Sequence, residues 1–304
     1  MSKLETDLGH FTNSKLEVDL DLCTKCGSCV RECPLRLYHV RGEKLVVSRA
    51  ADILCMECGH CVAVCPVNAI KLKKFPLDQV IEISKDFKIP SYDSLMNSIM
   101  ARRSVRQFKK DPVPEDLWNK LLEAGRYSPT GHNDQLVHFT IVRNQERLKQ
   151  FSDEVTQGFI DLVALYKDKS KFKEFKKTIP KPALNILKDL IIPGFPIMLK
   201  GMEQGEDFWR WNGELIIIHA SKKTTTLIED CSIAASHIML AAKLLGLGTC
   251  SLGIATFALN VVENVKKLVN LPKHHIVGYT LAVGIPQVKY YRIPPRQPAK
   301  VTWL

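Results

Sequence analysis

The sequence predicts an α+β protein with two domains, a small cysteine-rich domain followed by a larger one in which helices flank a sheet. A chain of 304 residues exceeds the usual size of one domain. Eight of the ten cysteines lie between Cys23 and Cys65, and short strand-like and helical stretches are interleaved beyond Tyr92. We therefore expect the first domain at 1–78, a linker at 79–91 and the second domain at 92–304. The balance of 45% hydrophobic and 25% charged residues excludes a disordered or fibrous chain.

The first domain contains two copies of one cysteine motif, 32 positions apart. The sequence CTKCGSCVRECP at 23–34 recurs as CMECGHCVAVCP at 55–66. Cysteines this close together favour metal binding over disulfides. Zinc would be expected to use two well-separated cysteine pairs, whereas a Cys-x2-Cys-x2-Cys triplet followed by Cys-Pro is typical of [4Fe–4S] clusters. The cysteine before the proline serves the other cluster in such motifs. One cluster is therefore expected to bind Cys23, Cys26, Cys29 and Cys65, and the other Cys55, Cys58, Cys61 and Cys33.

Each cysteine motif is followed by a short aliphatic stretch, Leu37–Val40 or Ala69–Leu72, and we expect these two stretches to pair as strands. The spacer between the motifs predicts a hairpin around residues 41–44. This segment resembles the bacterial two-[4Fe–4S] ferredoxin family. The resemblance covers nearly all of that small fold and implies a domain that carries single electrons.

Hydrophobic periodicity predicts the helices of the second domain. The first is capped by Ser91 or Ser94, and the second begins at Pro114. Further helices are predicted at 145–165, at Leu227–Leu245 with a stop at Gly246, and from a capping box at Asn260–Glu263 to Pro272. Strands are predicted at Leu136–Arg143, Glu214–Ala220 and His275–Val283. Four prolines in the tail 285–304 predict an extended chain there.

Residues 153–212 have no such regular pattern. Eight lysines lie between Lys167 and Lys188, opposed only by Asp168 and Glu174, and two prolines interrupt the apolar stretch 190–199. One interpretation is a solvated basic helix followed by a buried turn. The other is a lid over an active site or a shallow contact with a membrane, of which we favour the lid because a sustained amphipathic pattern is missing.

A candidate phosphate site lies at the start of the second domain. Arg102, Arg103, Ser104 and Arg106 bring three guanidinium groups and a hydroxyl together, and guanidinium groups bind phosphate bidentately. Alone, such a cluster more often indicates a solvated surface. Here it is followed by SPTGHNDQ at 128–135, by Gly-Leu-Gly at 246–248 after an Ala-rich helix, and by Leu271-Pro272 before the last strand. This ordered set resembles the nitroreductase family of FMN flavoproteins and spans about 92–304.

The resemblance implies a nitroreductase-like FMN-binding sheet in a domain-entwined homodimer, with FMN at the interface. The FMN phosphate and ribityl chain would be held by Arg102, Arg103, Ser104 and Arg106, to which Arg296 of the tail would return. The flavin of the neighbouring subunit would be reached by Pro129, Thr130 and Asn133. The isoalloxazine would be lined by Ser251, Leu252 and Gly253, with a backbone amide near N5. The resemblance does not extend to 153–212, so it leaves the substrate open.

Four other candidates have simpler interpretations. His132 is expected to be a turn histidine rather than a proton donor near the flavin. Cys250 is expected to be a small apolar filler rather than a redox thiol, as is Cys231 on its buried helix. The Gly-Leu-Gly at 246–248 follows a helix and lacks a third glycine, which argues against a dinucleotide-binding loop.

These observations predict an FMN-dependent oxidoreductase. Electrons from a ferredoxin-like protein or NAD(P)H would enter singly through two [4Fe–4S] clusters, and leave as a pair or hydride to a small organic acceptor such as a nitroaromatic or quinone. The alternative is an electron-transfer or redox-sensing adaptor for a protein partner. We expect no nucleic-acid partner, although the net charge is +11, because the sequence shows no recognisable DNA-recognition helix and no aromatic residues interleaved with a basic patch. The thiol chemistry, and the absence of a signal-peptide or transmembrane pattern, predict a cytoplasmic protein.

Overall fold

The computed structural model describes residues 10–42, 44–75, 77–179, 181–204 and 213–304. The chain divides into two compact units. The first takes in residues up to Ile89 together with His132–Asp134, and the second consists of Pro90–Gly131 and Gln135–Leu304. Within the described ranges, no helix is both long and apolar enough to cross a membrane.

The first unit is built from short strands around the two cysteine motifs. Its elements are β1 (His10–Thr12), β2 (Leu16–Asp19), α1 (Ser28–Glu32), β3 (Tyr38–Arg41), β4 (Lys44–Val47), α2 (Ala51–Leu54), α3 (His60–Ala63) and β5 (Ile70–Leu72). The expected pairing of Leu37–Val40 with Ala69–Leu72 is wrong. β3 instead pairs with β4 in the predicted hairpin. β5 pairs with β2, a strand that lies before the first cysteine motif.

The repeat in the sequence is also a repeat in the backbone. Positive φ angles occur at Lys25 (58°), Gly27 (72°) and Arg36 (50°), and again 32 residues later at Glu57 (50°), Gly59 (79°) and Asn68 (53°). Side chains with a Cβ rarely adopt this left-handed conformation. Its recurrence at all three matching positions shows that both copies bend around their cysteines in the same way.

The second unit has thirteen named helices and strands among its described residues. They are α4 (Tyr92–Ala101), α5 (Glu115–Arg126), β6 (His138–Val142), α6 (Gln145–Lys167), α7 (Lys169–Phe175), α8 (Lys181–Ile186), α9 (Ile192–Glu203), β7 (Glu214–Ser221), α10 (Leu227–Leu244), β8 (Gly248–Ser251), α11 (Gly253–Val261), α12 (Glu263–Leu268) and β9 (His275–Gly284). The strands form one antiparallel sheet in the order β6-β7-β9-β8. Helices cover both faces, which confirms the predicted α+β class.

Strand β7 lies at the centre of the hydrophobic core. Ile217 packs in the cluster that includes α6, α9 and α11, whereas Ile216 and Ile218 pack in the cluster with α5 and α10. At its first residue, Glu214 is 3% exposed and accepts hydrogen bonds from Val113 N (2.8 Å), Trp118 Nε1 (2.6 Å) and Arg143 Nε (2.8 Å). This buried network ties the start of α5 and the end of β6 to the central strand.

Two further sequence predictions are corrected. Asn260 does not start a helix but lies inside α11, where its Oδ1 accepts from Val277 N (3.0 Å) and its Nδ2 donates to Val277 O (2.8 Å). The buried turn expected near 190–199 is helical. Pro193 and Pro196 both lie in α9, which follows without a break on a π-helical turn at Leu187–Ile191. Of the predicted lid 153–212, residues 180 and 205–212 lie outside the described ranges.

Three histidines meet on neighbouring strands of the sheet. His219 is 2% exposed, its Nδ1 lies 2.8 Å from His275 Nδ1, and its Nε2 lies 2.9 Å from Thr140 Oγ1. The ring of His138 meets that of His275 edge-on, with centroids 4.9 Å apart. Burial, together with the charges of His275 and His138, lowers the pKa of His219 to about 4.

We expect His219 to make the free energy of unfolding fall by about 2 kcal/mol between pH 7 and pH 5. The unfolded chain has a histidine pKa of about 6.5 and therefore takes up a proton at a higher pH than the folded chain does. The contribution of His219 to the free energy of unfolding is fully present above that value and is lost as the pH falls towards 4. Denaturant unfolding at several pH values across this range should show the decrease in the free energy of unfolding. His219→Gln should reduce it, whereas the exposed His39→Gln should not. An unchanged slope in His219→Gln would assign the effect to other groups.

Candidate functional site

The first unit contains two cavities lined by cysteines. Cys23, Cys26, Cys29 and Cys65 line one of them. Cys55, Cys58, Cys61 and Cys33 line the other. The structure thus brings together the members of each predicted ligand set, including the cysteine that comes from the other copy of the motif.

Each cavity offers thiols that a cationic metal centre would stabilise. All eight cysteines are free of disulfides. Burial, with smaller contributions from neighbouring cysteine charges, raises the pKa of Cys29 to about 11, and burial likewise raises the pKa of Cys61. Backbone amides point at the sulfurs at equivalent places in the two copies, with Leu37 N 3.5 Å from Cys33 Sγ and Ala69 N 3.3 Å from Cys65 Sγ. Clustered thiolates surrounded by N–H donors are the environment that an iron–sulfur cluster needs.

One difference between the linings of the two cavities is a buried tyrosine. Tyr38, which is 2% exposed, lines the cavity of Cys55, Cys58 and Cys61, and its hydroxyl forms a hydrogen bond with Cys61. Burial is the main cause that raises the pKa of Tyr38 far above its ordinary value. The equivalent residue 32 positions on, Ile70, lines the other cavity and offers no donor. Tyr38 is not among the residues predicted from the sequence, although the repeat shows the mismatch between Tyr38 and Ile70.

In the second unit, a cavity of about 630 Å³ is strongly basic. Five cationic side chains and no acidic one are among its lining residues: Arg102, Arg103, Lys243, Lys289 and Arg292. Nε of Arg103 is buried and has no hydrogen-bond partner in the described part of the chain, while its Nη2 donates to Met100 O (2.8 Å). A buried guanidinium nitrogen without an acceptor favours an anionic ligand, because leaving such a donor unpaired is costly.

Backbone contacts with β8 place the arginine segment at this cavity. Val105 N donates to Thr249 O (2.9 Å), and Ser104 forms a bridge with Thr249. A Cβ on Gly248 would lie 2.7 Å from Val105 Cγ2, so only glycine permits this approach. Tyr290 Oη donates to Ser104 O (3.2 Å) and brings the tail to the same place. The Gly-Leu-Gly sequence and the arginine cluster are therefore parts of one site.

Not every predicted residue lines the cavity. Ser104 and Arg106 flank Val105 of the lining, but Ser251, Leu252, Gly253 and Arg296 are not among the lining residues. From the tail, Arg292 lines the cavity and Arg296 does not, although both side chains are exposed. Lys243 and Lys289 were missed because each is a single lysine in an unremarkable sequence context.

The segment 251–253 joins β8 to α11. Ser251 Oγ lies 2.9 Å from Tyr279 Oη, and Leu252 N donates to Thr280 O (2.9 Å). Gly253 is the first residue of α11. Cys250 and Cys231 are both buried, as expected of filler residues, and burial raises the pKa of Cys231 to about 12.

The turn at 128–135 is held by a buried carboxylate that no motif in the sequence indicates. Asp230, 2% exposed, accepts from Gly131 N (3.1 Å), and Thr130 Oγ1 accepts from Gln135 N (3.1 Å). Pro129 is exposed. Asn133 belongs to the first unit, where its Nδ2 donates to Glu57 O (3.0 Å). His132 has a positive φ of 52°, which agrees with a turn histidine.

Two family models match the chain. The one described as the nitroreductase family matches residues 99–285, more than half of the chain. The one described as a 4Fe–4S dicluster domain matches residues 18–70. Both resemblances drawn from the sequence motifs are thereby confirmed.

Individual relatives agree with these matches. The chain is 26% identical over 206 residues to a protein of Methanothermobacter thermautotrophicus provisionally named an NADH dehydrogenase/NAD(P)H nitroreductase, a match that covers 68% of this chain and 84% of that protein. It is 26% identical over 197 residues to an NADH dehydrogenase of Thermus thermophilus, covering 63% and 86% respectively. Among solved structures, a nitroreductase with bound FMN from Bacteroides fragilis superposes with a TM-score of 0.50 at 21% identity, covering 69% of this chain and 98% of that one. At this identity the structural likeness concerns the fold alone.

Proposed function

Because the chain belongs to the nitroreductase family and carries a 4Fe–4S dicluster domain, we propose that it takes single electrons through two [4Fe–4S] clusters to an FMN and delivers two electrons, or a hydride, to a small organic acceptor. That it is an oxidoreductase follows from the family and from relatives named as NADH dehydrogenases and nitroreductases. The acceptor class proposed is a nitroaromatic, a quinone or a similar compound. The domains proposed are 1–78, a linker at 79–91, and 92–304.

The observation that carries the FMN proposal is the basic cavity with the unpartnered Nε of Arg103. Arg102, Arg103 and Arg292 would bind the phosphate, with Ser104 and Arg106 at its edge. Five cations facing one space repel one another, and a dianionic phosphate relieves that repulsion. Bound FMN supplies a centre that accepts electrons one or two at a time. Around it, Ser251, Leu252 and Gly253 would orient the ring, and Pro129, Thr130 and Asn133 would approach from a second subunit.

A homodimer is part of the proposal. Helix α4 has no buried residue, and Tyr92, Leu95, Ile99 and Met100 are all exposed on it in the single chain. An apolar face of this kind is typical of a subunit contact. For the electron donor, the names of the relatives favour NAD(P)H, and a ferredoxin-like protein is the other candidate.

We expect the pure full-length protein to contain about eight iron atoms, about eight acid-labile sulfides and about one FMN per chain. The protein is first reduced anaerobically by NADH, NADPH or reduced ferredoxin. A nitroaromatic or a quinone added afterwards should reoxidise the flavin, which is followed by its absorbance. Iron without flavin would contradict the assignment of the second domain. If small acceptors leave the flavin reduced and only a protein partner reoxidises it, the protein is an electron-transfer adaptor instead.

A further inference from the structure

Helices α8 and α9 and the π-helical turn between them carry an apolar stripe on their outer side. The outer stripe consists of Ile186, Leu190, Pro193 and Ile197, at helical spacings of i, i+4, i+7 and i+11. Ile186 is 42% exposed, Leu190 is 55% exposed and Ile197 is 76% exposed. Residues at these spacings share one face of a helix, so the four form a continuous strip and not scattered exposed side chains.

The outer stripe is not needed for the fold, because the opposite side of the same helices fills the core. Leu187, Ile191 and Phe195 are between 0% and 3% exposed. The ring of Phe195 meets that of Phe159 of α6 edge-on, with centroids 5.6 Å apart. One apolar side is enough to pack this segment onto the core. A second, exposed apolar side is typical of a surface that binds another partner.

The sequence that precedes and carries the outer stripe is rich in lysine. Residues 167–203 contain nine lysines and only four acidic residues. Short-range ion pairs take up two of the lysines, Lys171 with Asp168 (3.3 Å) and Lys177 with Glu174 (2.8 Å). The charge complement of this segment is therefore an anionic surface.

The residue types indicate whether the anionic partner is a protein or a lipid bilayer. Residues 167–203 contain no arginine, tryptophan or tyrosine. Those residues dominate the centres of protein–protein interfaces, where lysine is depleted. Lysine beside a strip of isoleucine and leucine is instead the composition of helices that lie in a lipid interface, and each lysine near an anionic bilayer strengthens binding about fivefold.

We propose that the α8–α9 segment binds the surface of an anionic lipid bilayer. The outer stripe enters the boundary between head groups and acyl chains, and the lysines of 167–200 lie among the head groups. Three large aliphatic side chains give a peripheral, reversible attachment. This reverses our preference based on the sequence, because the two prolines do not interrupt the helix as expected. The proposal does not depend on the cofactors or the reaction.

The test is flotation of the full-length protein with vesicles of phosphatidylcholine, alone or with about 30% phosphatidylglycerol, at about 0.05 M and about 0.5 M salt. The outer-stripe variant is Ile186→Ser, Leu190→Ser and Ile197→Ser together. The charge variant is Lys169→Gln, Lys173→Gln and Lys176→Gln together. A matched control replaces three exposed aliphatic residues elsewhere, Val80→Ser, Ile81→Ser and Ile83→Ser. Iron and flavin content and thermal unfolding establish that each variant is folded.

Wild type and control are expected to float with the anionic vesicles at low salt and to be released at high salt. Both the outer-stripe and charge variants should bind at least about tenfold more weakly. Absence of wild-type binding, or equal binding by the outer-stripe variant, would overturn the proposal. If the outer-stripe variant changes from dimer to monomer in light scattering while the wild type ignores vesicles, the stripe is a subunit interface instead.

Discussion

Replacing Cys65 with alanine is expected to remove the cluster that Cys23, Cys26 and Cys29 would hold, and to leave the other cluster in place. Cys65 follows Cys61 in the chain but lines the cavity of the first motif. A three-thiolate site binds a cubane far less firmly than a complete one, so iron should fall from about eight to about four atoms per chain. Cys23→Ala should give the same residual spectrum, and Cys33→Ala should remove the other cluster.

The identity of the remaining cluster can be read from Tyr38, which donates to the sulfur of Cys61 in only one cavity. Hydrogen bonds to cluster sulfurs raise the reduction potential. In the Cys65→Ala background, adding Tyr38→Phe should therefore lower the potential of the surviving cluster. In the Cys33→Ala background it should have no effect. If the ligands followed the order of the sequence, Cys65→Ala would leave a cluster that does not respond to Tyr38, and the exchanged ligand sets would be wrong.

Arg103→Ala is expected to weaken FMN binding by about 10- to 100-fold. The substitution removes a charged donor whose Nε has no partner in the described protein, and a charged hydrogen bond of this kind contributes about 1.5–3 kcal/mol. Titration of the apo-flavoprotein with FMN, followed by quenching of flavin fluorescence, measures the change. The iron content should stay constant, because the arginine lies in the other unit.

Two tail arginines provide the matched comparison for this experiment. Arg292 lines the basic cavity, so Arg292→Ala should weaken FMN binding by about tenfold. Arg296 does not line it, so Arg296→Ala should leave the affinity nearly unchanged. The reverse order of effects would restore the role that the family resemblance implies for Arg296. Equal, small effects for Arg103 and Arg292 would place the phosphate elsewhere.

The sequence predicted those elements whose signals are local. The strand at Glu214–Ser221 and the helix at Leu227–Leu244 were found within one residue at each end, because a run of buried aliphatic residues and a terminating glycine define them. Ser91 caps its helix as expected, accepting from Ser94 N (3.3 Å). The cysteine motifs also indicated which cysteines would share a cavity, because the cysteine before the proline is expected to serve the other copy in motifs of this kind.

The failures concern contacts between distant parts of the chain. Asn260 resembles a helix cap, but its amide satisfies the backbone of Val277 in β9, a partner that no local pattern shows. Asp230 binds the turn at Gly131 across 99 residues of sequence. The strand that pairs with β5 lies more than fifty residues earlier, at Leu16–Asp19. In each case a tertiary contact outweighs the local preference.

The backbone repeat of the first unit makes each half of it incomplete on its own. Each cysteine cavity takes three cysteines from one copy and the fourth from the other, and the copies meet in the turn between β3 and β4. A chain half this long would supply three cysteines to one cavity and a fourth to a cavity that it could not complete itself. Two such half-chains could complete both cavities only as a symmetric pair, and in this protein the connection from β3 to β4 joins the two halves covalently.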